Sequence, residues 1–183
     1  MRAFRIVLGA CIDLALFGLL VPWVAVRVGG LLDAVLPPAV RLDSPAWSAL
    51  GAAMILAGGG WLAASWFLLV RRGRGYATEL FCVEVSPVTE RLVVRGPFAA
   101  HRHPMCAGYL VLLLGVGLAA GSPGVVLAVV PALLLLTWVY LRVFEEPCLE
   151  KRFGAAYRRY AERVPMFLPV RKDRIPVARR NLL

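Results

Sequence analysis

The stretch "HRHPMCAGYLVLLLGVGLAAGSPG", residues 101–124, joins a charged segment to an apolar run that ends in a tight turn. It contains both histidines of the chain, with Arg102 between them. Pro104 opens the apolar run, and proline is tolerated in the first turn of a helix because its missing N–H would have no partner there. The sequence "GSPG" over residues 121–124 is rich in turn formers. We therefore predict a membrane helix over Pro104–Ala120 that turns back at its far end.

The whole chain has the composition of a membrane protein. Of its 183 residues, 60% are hydrophobic and 17% are charged, with a mean hydropathy of +0.74, whereas about a quarter of a typical soluble domain is charged. Four apolar runs approach the roughly 20 residues that a helix needs to cross a bilayer. They are Ile6–Val26, Trp47–Val70, Pro104–Ala120 and Gly124–Val143. The sequence predicts an all-α integral membrane protein with four transmembrane helices.

The basic residues predict the orientation of these helices. The net charge is +10, and nineteen of the 21 basic residues lie before the first run, in the loop 71–103, or from Arg142 onward. Arg27 and Arg41 alone lie in the loop 27–46. Because cytoplasmic loops carry the excess of Lys and Arg, we expect both termini in the cytoplasm. Anionic lipid head groups then account for the positive charge, so membrane lipids are expected partners and nucleic acid is not.

The chain divides into three parts on this basis. Residues 1–70 hold two transmembrane helices, residues 71–169 hold a cytoplasmic loop, the transmembrane hairpin and one further helix, and residues 170–183 form a basic tail. The further helix follows Pro147, where apolar residues recur at helical spacing. They are Leu149, Phe153, Ala156, Tyr157, Tyr160 and Val164. We expect an amphipathic helix on the cytoplasmic membrane surface.

Several residues within the apolar runs require separate interpretation. Asp13 is costly inside a membrane, and we interpret it as a protonated or hydrogen-bonded link between helices. The glycines Gly58–Gly60 predict close helix packing. The cysteines show no CxxC spacing and no neighbouring histidine pair, so neither a metal site nor a disulfide framework is indicated. We expect free thiols at Cys11, Cys82, Cys106 and Cys148.

The hairpin brings polar residues from two distant segments together. Glu145 and Glu146 end the fourth run, so the turn at residues 121–124 must place them beside Arg102, His103 and Pro104. A helix N-terminus offers free backbone N–H groups to an anion, and the carboxylates face it. Such a pocket suits a zwitterion with a carboxylate and an ammonium group. The two glutamates also suit the first turn of the helix that follows, where acidic residues are favourable.

Two segments resemble a known family. "GPFAAHRHPMCAGYL" (residues 96–110) and "EEPCLEKRFGAAYRRYAERVPMFLP" (residues 145–169) closely resemble the isoprenylcysteine carboxyl methyltransferase and phospholipid methyltransferase superfamily. The resemblance extends over about residues 90–169. It implies S-adenosylmethionine as cofactor, held in a pocket under the amphipathic helix by Leu92, Val93, Phe98, His103, Pro104, Met105, Cys106 and Glu145. The family usually has tyrosine at the position of Cys106 and often at that of Phe98.

The resemblance also implies a lipophilic methyl acceptor. Arg102 or Arg142 would hold an acceptor that is already ionised, such as an isoprenylcysteine-like carboxylate. A lipid amine or a small thiol would need a base, for which Glu146 and His101 are candidates. We therefore predict Arg102, Arg142 and Glu146 as catalytic residues.

The reaction, the compartment and the oligomeric state are less tightly constrained by the sequence. Two other functions stay open, an NADPH-dependent reductase of the sterol-reductase-like type and a non-catalytic membrane protein with the same fold. A composition rich in Arg, Ala, Gly and Val suggests a GC-rich bacterium, and hence its inner membrane. The sequence does not indicate an oligomeric state.

Overall fold

The computed structural model describes residues 11, 14–37, 42–73, 79–80, 83–84 and 89–167. The helices are α1 (Leu14–Asp33), α2 (Pro45–Gly73), α3 (Pro97–Ala100), α4 (Pro104–Ala119), α5 (Val125–Phe153) and α6 (Ala155–Arg163). A short antiparallel pair joins β1 (Glu79–Leu80) to β2 (Val83–Glu84). Helical winding of the π type occurs over Leu14–Leu20, Leu69–Gly73, Val125–Val129 and Leu141–Glu145.

Long apolar helices dominate this architecture, as expected of an integral membrane protein. Within the described residues, α1, α2 and α5 have the length and hydropathy to cross a membrane, with mean hydropathies of 1.9, 1.8 and 2.1. Helix α4 is apolar but has 16 residues, which at about 1.5 Å per residue is shorter than a typical bilayer core. The count of four spans therefore stays a prediction. Helix α1 continues to Asp33, seven residues beyond its predicted end at Val26.

Helices α2 and α4 pack with their backbones in contact. A Cβ atom added at Gly58 would lie 2.5 Å from the carbonyl oxygen of Gly108, and one added at Gly115 would lie 2.7 Å from that of Gly51. No side chain fits at such distances. The expected role in helix packing is confirmed for Gly58, but it is wrong for Gly60, where nothing lies within 4 Å of an added Cβ.

The turn between α4 and α5 is tight, as predicted, and α1 anchors it. Asp33, the last residue of α1, accepts hydrogen bonds from the Ser122 hydroxyl at 2.5 Å and from the Gly124 backbone N–H at 2.6 Å. A carboxylate at this place satisfies free N–H groups at the start of α5 and opposes the positive end of its dipole. This contact explains why α1 extends as far as the turn.

The predicted amphipathic helix is divided in two. Gly154 has a φ angle of +56°, which ends α5 and starts α6 at a new angle, so the prediction of one continuous helix was wrong. Helix α6 buries Tyr157 and Tyr160 and exposes Arg158 and Arg159. Its buried face packs on the segment before α4, because the Tyr160 hydroxyl donates to the Phe98 carbonyl at 2.6 Å.

Three further expectations concern single residues and the tail. The prediction of a free thiol is wrong for Cys148, which is disulfide-bonded. A disulfide depends on spatial proximity of two cysteines, which sequence spacing does not reveal. Cys11 and Cys106 are free thiols. Asp13, Cys82 and the basic tail 170–183 lie outside the described residues.

The α2–α4 contact yields a test with a matched control. We expect Gly58→Ala to lower the melting temperature of the purified protein, because its methyl group would overlap the α4 backbone, and overpacking of this kind costs about 1–3 kcal/mol. Gly60→Ala adds the same methyl group where nothing lies within 4 Å. It should leave the melting temperature unchanged or raise it slightly, since alanine is the better helix former. Equal melting temperatures for the two variants would contradict the packing.

Candidate active site

A buried carboxylate connects α5 with the segment that precedes α4. Glu146 places one carboxylate oxygen 2.7 Å from Arg102 Nη2 and the other 2.7 Å from Arg142 Nη1. Arg142 reaches it because the two residues lie one helical turn apart on α5. The Glu146 side chain is 9% exposed, and a charge so deeply buried requires partners of this kind. The structure thus brings the three predicted catalytic residues together.

Arg102 extends this connection to the C-terminal segment. Its Nη1 atom donates to the Ala161 carbonyl at 2.8 Å, and its backbone N–H donates to the Pro165 carbonyl at 2.9 Å. One residue therefore joins the start of α4, the C-terminal part of α5 and the end of α6. Guanidinium suits this role because its donors form a rigid planar fork.

A second pair forms between the neighbours of these residues. His103 Nδ1 lies 3.2 Å from a carboxylate oxygen of Glu145. Burial by itself lowers the pKa of His103, but the hydrogen bond to Glu145 and the negative charges of Glu145 and Glu146 outweigh burial and raise that pKa to about 9. The imidazole is therefore charged at neutral pH. The Glu145 side chain is 31% exposed, so it can also reach a ligand.

The predicted catalytic residues line a cavity of about 280 Å³ between α5 and α6. Its full lining is Arg102, Arg142, Glu146, Pro147, Glu150, Tyr157, Arg158 and Ala161. None of the eight residues predicted to bind the cofactor belongs to this lining. The structure therefore separates the two predicted sets of residues, although Arg102 adjoins His103 and Glu146 adjoins Glu145 in the chain.

The predicted cofactor residues lie around the start of α4. The negative charge of Glu145 acts on the Cys106 thiol, and Glu145 also pairs with His103. The three residues therefore form one group. Val93 lies near the end of α2, where a Cβ on Gly73 would be 3.4 Å from its Cγ2. The remaining four are buried or partly buried. They are Leu92, Phe98, Pro104 and Met105.

His101 lies on the side of the segment before α4 that faces α2. Its ring meets the Trp61 ring edge to face at 5.9 Å. Burial lowers the pKa of His101, although a hydrogen bond to the Phe167 backbone opposes this, so the ring is neutral at pH 7. A second cavity of about 280 Å³ adjoins it, lined by Ala57, Gly58, Trp61, His101, Ala107, Gly108 and Val111. A neutral imidazole can accept a proton, as a general base must.

Sequence reasoning missed Tyr157 as a site residue. It was expected only on the apolar face of an amphipathic helix, yet its hydroxyl is buried at the cavity. Burial, followed by the charge of Glu146, raises its pKa, so the hydroxyl keeps its proton. The available signal was the tyrosine itself, because a buried tyrosine normally needs a partner for its hydroxyl.

Comparison with known proteins gives two matches. The model of the phospholipid methyltransferase family matches residues 47–156. The fold is similar to that of a eukaryotic intramembrane Ras methyltransferase, the isoprenylcysteine carboxyl methyltransferase, with a TM-score of 0.58 and 23% sequence identity. The similarity covers 82% of this chain and 51% of the other, so this chain spans about half the length of that enzyme. No curated protein sequence matches it.

The His103–Glu145 pair predicts a pH dependence of stability. The pKa of His103 is about 9 in the folded protein and about 6.5 when unfolded. Its stabilising contribution is therefore complete below about pH 6.5 and is lost as the pH rises through 9. We expect the melting temperature to fall between pH 7 and pH 9.5. The charged groups around His103 are Glu145, Glu146 and Arg102.

The matched variant is His103→Gln. This variant should be less stable than the parent at pH 7. It should also lose the part of the fall in melting temperature between pH 7 and pH 9.5 that His103 causes, because glutamine does not titrate. An identical decline in both proteins would show that another group is responsible.

Proposed function

The chain belongs to the phospholipid methyltransferase family, and from this premise we propose that it transfers a methyl group from S-adenosylmethionine to a lipophilic acceptor at the cytoplasmic face of the membrane. The observation that carries the proposal is the pairing of Arg102 with Glu146 and of His103 with Glu145, at 2.7 and 3.2 Å. Residues from the two ends of a helical hairpin thereby form one polar centre beside the apolar helices.

The residues at this centre fit S-adenosylmethionine. The first turn of α4 has backbone N–H groups without intrahelical partners, which suit the carboxylate of the ligand. His103 Nε2 is a further buried nitrogen without a hydrogen-bond partner among the described residues. Glu145 is partly exposed and suits the ammonium group or the ribose hydroxyls. When bound, S-adenosylmethionine supplies a methyl group activated by a sulfonium.

The protein's own contribution is positioning and the exclusion of water. Arg102 and Arg142 each place a guanidinium nitrogen 2.7 Å from one oxygen of Glu146, and these ion pairs make that carboxylate a poor base. We assign Glu146 as a positioning residue that orients the two arginines toward the cavity. If the acceptor loses a proton, the neutral His101 is the better candidate for the base.

The alternative functions predict other ligands. An NADPH-dependent reductase would bind a dinucleotide, and a non-catalytic protein would bind neither ligand. The family match favours the methyltransferase. Titration of the purified, detergent-solubilised protein with S-adenosylmethionine and with NADPH separates the three.

We expect Glu145→Gln to weaken S-adenosylmethionine binding about ten- to a hundred-fold, the effect of losing one hydrogen bond to a charged group. Isothermal titration calorimetry measures it directly. The control is Glu162→Gln on the exposed surface of α6, which removes the same charge and should not change the affinity. If Glu145→Gln binds as tightly as the parent, or if NADPH binds and S-adenosylmethionine does not, the assignment is wrong.

The proposal also places both termini and the polar centre in the cytoplasm, in a bacterial inner membrane. Reporter fusions after Arg74 and after Leu183 should give a cytoplasmic signal, and a fusion after Asp33 should give an external one. A cytoplasmic signal after Asp33 would overturn the orientation.

A further inference from the structure

We propose that the cavity between α2 and α4 binds a neutral lipid with a hydroxyl head group, and that this hydroxyl forms a hydrogen bond with His101 Nδ1. None of the residues that line this cavity belongs to the polar centre of Arg102, His103, Glu145 and Glu146. The cavity is therefore a second binding site, and it does not depend on the proposed methyltransferase function.

His101 carries the first observation. Its Nδ1 atom is buried and has no hydrogen-bond partner among the described residues, and the residue lines the cavity. A buried polar atom without a partner costs free energy, and such atoms are rare in native proteins. A ligand with a hydrogen-bonding group at the His101 end of the cavity would supply the missing partner.

The backbone contact between α2 and α4 explains why space remains here. A Cβ added at Gly58 would lie 2.5 Å from the carbonyl oxygen of Gly108, and one added at Gly108 would lie 2.9 Å from that of Gly58, so neither position can carry a side chain. Their neighbours Ala57 and Ala107 add only methyl groups to the lining. The volume of about 280 Å³ is close to the lower limit of small-molecule sites, roughly 300 Å³, which suits a single short chain.

The cavity is open to the lipid. Trp61 on α2 and Val111 on α4 are each 38% exposed, and α2 has the length and hydropathy to cross a membrane. Tryptophan is enriched at the level of the lipid head groups, and the Trp61 ring meets the His101 ring at 5.9 Å. A lipid that enters from the bilayer can therefore keep its chain among apolar side chains and place its head group beside His101.

The lining favours a head group without charge. None of its seven residues carries a formal charge, because burial lowers the pKa of His101 and keeps its imidazole neutral. A carboxylate or an ammonium group would lose its hydration here without meeting a counter-ion, which is costly. A hydroxyl both donates and accepts, so it can pair with Nδ1 whichever ring nitrogen carries the proton.

The test uses octanol that carries a photoreactive diazirine, together with octanoate and octylamine probes of the same chain, which are both ionised at neutral pH. The full-length protein is irradiated with each probe in an uncharged detergent, and peptide mass spectrometry identifies the labelled residues. We expect the alcohol to label residues 57–61 and 107–111, and unlabelled octanol to compete for them. The charged probes should label these segments about ten-fold less, because an unpaired charge would be desolvated there.

Val111→Phe tests the cavity with a matched control. The larger side chain should fill the space and abolish competition by octanol at residues 57–61. Val139→Phe is the same change on α5, at a residue that is 41% exposed and outside the lining, and it should behave as the parent does.

His101→Phe tests the hydrogen bond. It keeps an aromatic ring but has no nitrogen, so the concentration of octanol that halves the labelling should rise about two- to ten-fold, the effect of one hydrogen bond between neutral groups. If His101→Phe competes as the parent does, Nδ1 has another partner, such as water, and the head-group assignment is wrong. Should this variant fail to fold, Val111→Phe and its control decide alone.

Three further outcomes would overturn the site. Labelling that unlabelled octanol does not reduce would mean partition onto the apolar surface, and equal labelling by the three probes would mean that the head group is not recognised. Glu145→Gln, which should bind S-adenosylmethionine more weakly, should still bind octanol normally. A loss of octanol binding in that variant would place the alcohol in the polar centre instead.

Discussion

The backbone contact between α2 and α4 is the constraint on which the rest of the structure depends. In a lipid environment apolar side chains give helices little reason to associate, so close packing of small residues must supply the contact. The pairs Gly58–Gly108 and Gly51–Gly115 lie seven residues apart on each helix, which is about two turns. Both pairs therefore lie on one line along the helices, and their contact sets the height of α4 relative to α2.

Once α4 is placed, the polar centre follows from the hairpin. Arg102 and His103 immediately precede α4, and the tight turn at its other end returns the chain so that Glu145 and Glu146 lie opposite them. The carboxylate of Glu146 pays a large desolvation cost, which two guanidiniums offset. Because Arg102 also binds the Ala161 and Pro165 carbonyls, the buried charge orders the C-terminal segment. The cluster determines geometry more than it adds net stability.

The sequence predicted what depends on spacing along one chain. The hairpin, the turn and the meeting of Arg102 with Glu146 all follow from two apolar runs joined by four turn residues. Features that depend on three-dimensional placement were missed. Of three successive glycines, Gly58 lies against the α4 backbone, whereas nothing lies within 4 Å of a Cβ added at Gly60, so the two differ in role. Gly154 lies within a periodic apolar pattern, and its positive φ breaks a helix that periodicity alone predicts to continue. Tyr157 was placed on the apolar face of the helix by its spacing. Its residue type does not show whether the hydroxyl finds a hydrogen-bond partner.

The two buried tyrosine hydroxyls of α6 differ in whether they form a hydrogen bond. Tyr160 and Tyr157 lie on the same face of α6, yet Tyr160 donates to a backbone carbonyl and Tyr157 donates to none in the described residues. A sequence selected for stability alone would carry phenylalanine at Tyr157, since an unpaired hydroxyl in a buried position costs free energy. Departures from local stability of this kind are expected at functional sites. The two adjacent ion pairs, His103–Glu145 and Arg102–Glu146, differ in exposure. The His103–Glu145 pair includes a partly exposed carboxylate, while Glu146 accepts from the guanidinium of Arg142 and pairs with that of Arg102 at the cavity between α5 and α6.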